Sequence, residues 1–349
     1  MMTDAASEGV DYEDATLSAT AAGYTFEDKT QRTIIGCAYC LVALTGFVGN
    51  VLVILAVILS KKLQTRTNAF VVNLATADMV TCTAAPFMAV ALLSMDGWPL
   101  PDVMCSLAGA FYYTALSCSI MNLAAIAINR YILITKSMET YRAIYTKPKM
   151  AAMLVFTWLY PALVCCIPLF GVGRWGYSEK FKTCSQDSSI TSSRTFSLLG
   201  STLIYPVPLI ILFVCYFKIY RHISSHLKKI KANKIEMADT SSSNMNTMQR
   251  QRKPPMGHSK RQIKITKNLF YAMCAFIICL LPFAIALVIR NSDPVVPWTG
   301  MIVLCNSAVN PVIYGVKHPH FRVVFRCMLR CRCYMIPEPS RCLRKVISK

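Results

Sequence analysis

Seven long apolar runs, almost free of charge, take up most of this chain: about Thr33–Leu59, Ala69–Ser94, Val103–Ile134, Met150–Phe170, Phe196–Tyr220, Ile265–Ile289 and Val295–Val316. Each reaches the roughly 20 residues that a helix needs to cross a bilayer. Lipid offers the backbone no hydrogen-bonding partners, so such runs fold as helices that satisfy themselves. The expected fold is an all-α membrane protein, a seven-transmembrane helix bundle. Only 15% of the 349 residues are charged, against about 25% in a soluble chain.

The net charge of +20 could be read as a nucleic-acid footprint, but its placement argues against that partner. Basic residues fill alternate loops: Lys61, Lys62 and Arg66; Arg142, Lys147 and Lys149; a run from Lys228 to Lys267; and Arg322 to Lys349. By the positive-inside rule these loops are cytoplasmic. The acidic N-terminus, with Asp4, Glu8, Asp11, Glu13 and Asp14, then lies outside. This orientation, together with attraction to anionic lipid, accounts for the charge. Residues 1–32 form an acidic extracellular tail without an apolar core, read as disordered. Residues 33–316 form the membrane domain, with a third cytoplasmic loop at about 223–264 that is partly disordered. Residues 317–349 carry a short amphipathic helix and a cytoplasmic tail. In that helix Phe321, Val324 and Phe325 share one face and Arg322, Arg326 and Arg330 the other, which predicts a helix lying along the inner leaflet. Cys327, Cys331 and Cys333 beside it are candidates for palmitoylation, or plain free thiols.

Asp78 and Arg130 are the two formal charges deep within the runs. A charge inside a membrane is expensive, and its default reading is functional. Asp78 has Asn50, Ser119, Asn306, Ser307 and Asn310 at similar depth, an oxygen-rich set that suits a Na⁺ ion or a water-filled hydrogen-bond network. Arg130 closes the third run and needs partners for its planar fork of donors, such as Tyr216, Tyr314, backbone carbonyls or a docked protein. Of 16 cysteines, Cys105 and Cys184 alone fall on the expected extracellular side, which pairs them in a disulfide. All five histidines lie at span ends or in loops, so no histidine-ligated metal site or enzyme centre is expected within the spans.

Taken in order, these residues resemble a rhodopsin-like (class A) G protein-coupled receptor across all seven spans. The motifs are Gly49-Asn50, Leu74-Ala75-Thr76-Ala77-Asp78, Trp98, Cys105, Asn129-Arg130-Tyr131 and Trp158. They continue with Pro208 and Tyr216, Phe276 and Pro282, Asn310-Pro311-Val312-Ile313-Tyr314, and Phe321. The resemblance implies an agonist entering from outside and shifting the packing of Ile120, Pro208 and Phe276. It further implies an outward swing of the sixth helix at Pro282, rearrangement of Arg130, Tyr216 and Tyr314, and docking of a heterotrimeric G protein at the plasma membrane. Arrestin and receptor kinases would be further partners. Two departures stand out: Asn129 replaces the usual acidic residue before the arginine, and Leu280 replaces the usual aromatic toggle. Asn-Arg-Tyr also occurs in melatonin receptors and in the receptors called trapped in endoderm and moody, although melatonin receptors usually carry Ala where Pro311 stands. Tyr112 occupies the position that is Asp in amine receptors, and Leu304 the position that is Lys in opsins. The expected ligand wall comprises Phe111, Tyr112, Ala115, Leu116, Phe283, Leu287 and Val303, apolar and aromatic, which suits a lipid or small hydrophobic ligand. Arg174, Lys180 and Lys182 are expected to meet an anionic headgroup. The rival ligand is a basic peptide captured by the acidic tail around Tyr12, and a membrane transporter is the alternative from another class.

Overall fold

A computed structural model describes residues 24–240, 270–271, 273–286, 289 and 293–347. Helix α1 runs Lys29–Leu59, followed by a 3₁₀ turn at Lys61–Leu63 and α2, Arg66–Leu93. Next come α3, Asp102–Thr135, the short α4, Met138–Ile144, and α5, Lys147–Cys165. Strands β1, Trp175–Ser178, and β2, Thr183–Gln186, form an antiparallel hairpin with Tyr177 opposite Cys184. Helices α6, Ser192–Ile204, and α7, Pro206–Thr240, are interrupted at Pro206, which has no N–H to carry the ladder on. The remaining helices are α8, Met273–Ala286; α9, Val296–Lys317; α10, Pro319–Leu329; and α11, Arg341–Ile347.

Among the described residues six helical segments are long and apolar enough to cross a membrane, and Met273–Ala286 is a seventh, shorter apolar helix. The 19-residue α5 is the shortest of the six before its 3₁₀ extension; at about 1.5 Å per residue it still spans roughly the 30 Å hydrocarbon core. The bundle buries its polar residues inward and turns large apolar ones outward, as lipid demands: Leu41, Leu44, Phe213 and Ile210 are exposed, while Asp78, Asn122 and Asn129 are fully buried.

Helix α3 is the central post, packed on α2, α5, α7 and both strands, while α1 packs on α2 and α9. One polar junction ties three helices at mid-depth. Asn73 Nδ2 donates to Asn122 Oδ1 (2.8 Å) and Thr157 Oγ1 (3.0 Å), and its Oδ1 accepts from Trp158 Nε1 (2.9 Å). A second close contact sets α1 against α9: a Cβ on Gly49 would lie 2.8 Å from Pro311 Cβ.

Several boundaries differ from the sequence expectation. The first helix starts at Lys29, four residues ahead of the apolar run. Asp28 caps it, accepting from Thr30 N (2.9 Å) and Gln31 N (3.1 Å), while Gln31 Nε2 returns to Asp28 Oδ2 (3.0 Å). Phe26, inside the stretch expected to be disordered, is buried beneath the hairpin and donates its N–H to Lys180 O (3.0 Å). Helix α7 continues to Thr240, well into the third loop expected at about 223–264. The amphipathic helix α10 does present Phe321, Val324 and Phe325 on one face, but that face is buried against the bundle rather than turned to the leaflet. Phe321 stacks on Tyr314 at 5.5 Å. Beyond it the chain turns back. Ser340 N donates to Leu59 O (2.9 Å) and Lys61 N to Glu338 O (2.9 Å), pinning the tail to the α1–α2 turn.

Candidate functional site

The functional candidates lie along one stripe of α3. Residues 112, 115–116, 119–120, 123, 127 and 130 recur at helical spacing and face the core, as a helix inside a bundle requires. The stripe links three places: the expected ligand chamber near the disulfide, a polar centre at mid-depth and an arginine at the far end.

Near the disulfide, Cys105 and Cys184 are bonded and hold β2 over the head of α3, as the cysteine count predicts. Tyr112, Ala115 and Leu116 face inward, with Val303 buried and Phe283 half-buried. Phe111 does not belong to this wall: it is 56% exposed on the outer face of α3. One residue is a 100° turn, so Phe111 cannot share the stripe with Tyr112. Tyr113 turns instead toward Trp175 and Phe196, at ring distances of 5.5 and 6.3 Å. Leu287 lies outside the described residues. The loop cations are also not free for a headgroup. Arg174 pairs with Asp187, Lys180 with Asp293 (2.8 Å), and Lys182 with Glu27 (3.0 Å) and Glu179 (2.8 Å). These pairs join the segment ahead of α1, the hairpin and the turn ahead of α9 into a cover over the expected ligand chamber. Tyr12 lies outside the described residues.

At mid-depth Asp78 is fully buried and its carboxylate gathers three helices. Oδ1 accepts from Ser119 Oγ (2.9 Å) and Ser307 Oγ (3.1 Å), and Oδ2 from Asn310 Nδ2 (2.9 Å). Asn50 does not reach the carboxylate. It donates to Gly46 O and Ser307 O, both at 2.9 Å, locking α1 to α9. Asn306 Nδ2 and Oδ1 and Asn310 Oδ1 are buried with no hydrogen-bonding partner among the described residues. Buried amides left in that condition call for a water or an ion. Ile120, the residue after Ser119, and Phe276 are buried in the same apolar cluster, while Pro208 is buried on α7 and Pro282 half-buried on α8.

At the far end Arg130 is 5% exposed, with Tyr216, Tyr141 and Tyr314 close enough to feel its charge. Tyr131 is half-buried under Lys218, 5.6 Å from its ring. Asn129 bonds away from the arginine: it accepts from Thr67 Oγ1 (2.6 Å) and donates to Tyr141 (3.3 Å). Thr67 and Tyr141 gave no signal in the sequence, since both sit outside the apolar runs. Cys331 is exposed, and Cys327 and Cys333 are half-buried free thiols.

Residues 49–314 match the family described as 7 transmembrane receptor (rhodopsin family). The chain belongs to that family. The receptor's curated relatives include the octopamine receptor beta-1R of Drosophila melanogaster, 27% identical over 83% of this chain and 60% of its own length. They also include a GQ-coupled rhodopsin of Mizuhopecten yessoensis, 30% identical over 83% of this chain and 58% of its own length. The receptor thus spans about three fifths of the length of such relatives. Among solved structures, squid rhodopsin superposes with a TM-score of 0.69 at 22% identity, covering 88% of each chain, and shares the fold. The family is one of receptors, not of enzymes or transporters.

Proposed function

We propose that this receptor carries a signal from outside the cell to a heterotrimeric G protein, with its N-terminus outside and the Arg130 end in the cytoplasm of a plasma-membrane protein. The observation that carries the reading is the polar centre at Asp78. A single carboxylate bonded to α3 and α9 lies between the chamber and Arg130, so a change in how those helices pack above is felt below. The switch comprises Ile120, Pro208 and Phe276 under the chamber, Pro282 on α8, and Asn310, Pro311, Tyr314, Asn129, Arg130, Tyr131 and Tyr216 toward the cytoplasm. A ligand works this switch only through tighter binding to the active packing. Arrestin and receptor kinases act on the same cytoplasmic face, and Cys327, Cys331 and Cys333 are the lipidation candidates.

The ligand is small and hydrophobic or lipid-like. Curated relatives are named for octopamine and as rhodopsins, but Tyr112 and Leu304 replace the carboxylate and lysine that the resemblance assigns to amine and retinal binding. The chamber wall offers apolar surface and tyrosine hydroxyls, and the ion-paired cover favours entry between helices over capture of a large peptide. The Asn129-Arg130-Tyr131 motif supports a place beside the melatonin, trapped in endoderm and moody receptors. A Na⁺ ion fits the mid-depth centre through Asp78, Ser119, Asn306, Ser307 and Asn310. One carboxylate among neutral oxygens matches a monovalent hard cation, and the partnerless Asn306 and Asn310 oxygens supply the remaining donors.

The test is G protein activation in membranes without added ligand, comparing wild type with Arg130→Ala and Asn129→Asp at matched surface expression. Signal above mock that falls in both variants supports the reading. No coupling in any variant, repeated after a lipid and peptide screen, overturns it.

A further inference from the structure

Between Asp239 and Asp293 the sequence has no Asp or Glu, so the chain leading into α8 offers Arg130 no carboxylate. Asn129, beside the arginine, is neutral and bonds to Thr67 and Tyr141. Two aromatic contacts grip that chain instead. Phe270 and Tyr271 are helical and lie just ahead of α8. Consecutive side chains on a helix point about 100° apart, so the two rings meet different neighbours. The Phe270 ring meets Tyr216 of α7 edge-on, with centroids 5.6 Å apart. Tyr271 lies under Lys317 of α9, whose Nζ is 5.8 Å from the ring centre.

Lys317 is the last residue of α9, one turn beyond Tyr314, and the last turn of a helix favours a cation. Its ammonium stands over the electron-rich face of the Tyr271 ring, within the roughly 6 Å at which such a pair attracts. Tyr216 and Tyr314, which feel the charge of Arg130, lie on the same two helices. Residues 270 and 271 are thus held from α7 and from α9 at once, beside the arginine. Tyr271 lies eleven residues ahead of Pro282, about 16 Å along a helix. A swing about Pro282 is largest at that end, and it must part Tyr271 from Lys317.

We propose that Lys317 and Tyr271 form the latch that keeps the cytoplasmic end of the α8 segment against α9 in the resting receptor, a cation–π contact standing where an ion pair has no carboxylate to use. The latch regulates the switch proposed above and rests on that reading. Tyr271 is 49% exposed, so the contact is a weak one. Weakness suits the task, because a ligand opens the bundle only by the difference in its binding to the two packings. Removing either partner therefore favours opening with no ligand present.

The test is double electron–electron resonance on the purified full chain in lipid nanodiscs, with no ligand and no G protein. Spin labels sit on non-canonical residues at Met138 of α4 and at Lys267. Lys317→Gln and Tyr271→Leu should each raise the ratio of long to short distances about two- to fivefold, the population equivalent of one partly exposed cation–π contact. The double variant should go no further than either single one, since both remove the same contact. Lys317→Arg and Tyr271→Phe keep a cation over a ring face and should stay near wild type. The proposal is overturned if neither Lys317→Gln nor Tyr271→Leu moves the ratio, if the double variant adds the two effects, or if Lys317→Arg and Tyr271→Phe shift it as much. An unmoved ratio in a chain that still activates a G protein sinks the latch alone. A shifted ratio in a chain that never couples sinks the proposed function and leaves the contact standing.

Discussion

Thr67 Oγ1 donates to Asn129 Oδ1 at 2.6 Å, and the Asn129 amide donates onward to Tyr141 at 3.3 Å. The residue ahead of Arg130 thus clamps α2, α3 and α4 together without holding a charge against the arginine. Replacing Asn129 with Ala leaves two buried hydroxyls unmatched, which should cost about 1–3 kcal/mol. Tyr141→Phe removes one bond and should cost about 1 kcal/mol. Thermal melts of the purified chain measure both. Asn129→Asp keeps acceptors for Thr67 and Tyr141 and restores a carboxylate beside Arg130. On the proposed function it should lower ligand-free G protein activation while preserving the melt. Equal or higher basal activity would remove Asn129 from the switch.

Gly49 explains itself by what it faces. Its missing side chain lets α1 meet the Pro311 ring, and a methyl there would sit 2.8 Å from Cβ and 2.9 Å from Cγ. A proline ring inside a helix cannot rotate away, so α1 itself would have to move. Gly49→Ala should destabilise by about 1–3 kcal/mol, the usual cost of overpacking, and should loosen the Asn50 bond to Ser307 O. A melt within a few tenths of a kcal/mol of wild type would show that the two helices are free to separate.

How far the sequence could be read depended on where the physics was local. Asp78 and Arg130 announced themselves because a charge inside an apolar run has no other excuse, and Ser119, Ser307 and Asn310 followed from depth alone. Cys105 and Cys184 followed from topology. Phe111 was misplaced because two neighbouring aromatics look alike in a string, and only the helical phase separates them. Arg32 was missed because the apolar run begins one residue later, although Asp28 and Gln31 spell a helix cap at that point. The Lys180–Asp293 and Lys182–Glu27 bridges of the cover and the return of the tail to Leu59 and Lys61 join residues far apart in sequence, and neither charge pattern nor periodicity encodes which lysine meets which acid.

Asp187 should give the cover a measurable acid limb. Burial alone would raise its carboxyl, but the Ser189 hydroxyl at 2.6 Å and the Arg174 guanidinium outweigh that and hold it below the usual range. A carboxyl with a depressed folded value stabilises above its unfolded value, near pH 4, and loses that contribution as pH falls through the folded one. Wild type should therefore melt higher than Asp187→Asn at pH 7, with the gap narrowing below about pH 4. A gap that stays constant across that range would mean that Asp187 acts through packing and not through its charge.

Arg32 carries the last prediction. It is 1% exposed at the head of α1, where its Nε donates to Leu92 O at 2.8 Å and its Nη2 to Ser94 O, while Glu27 stands 3.8 Å away. Those carbonyls end α2, whose last C=O groups have no partners within their own helix. The guanidinium caps them from the neighbouring helix, so Arg32 joins α1, α2 and the segment ahead of α1 in one contact. Arg32→Ala would strand both carbonyls and should cost about 2–5 kcal/mol, as for a buried charged hydrogen-bond partner. Arg32→Lys should recover little of that, because a single ammonium cannot span both acceptors with the fixed fork of an arginine. Glu27→Gln tests the other half of the arrangement. Glu27 is largely exposed, and its pairs with Arg32 and Lys182 should be worth less than about 1 kcal/mol and fade with salt. If Glu27→Gln destabilised the chain as strongly as Arg32→Ala, the ion pairs, and not the capping of α2, would hold this corner of the bundle.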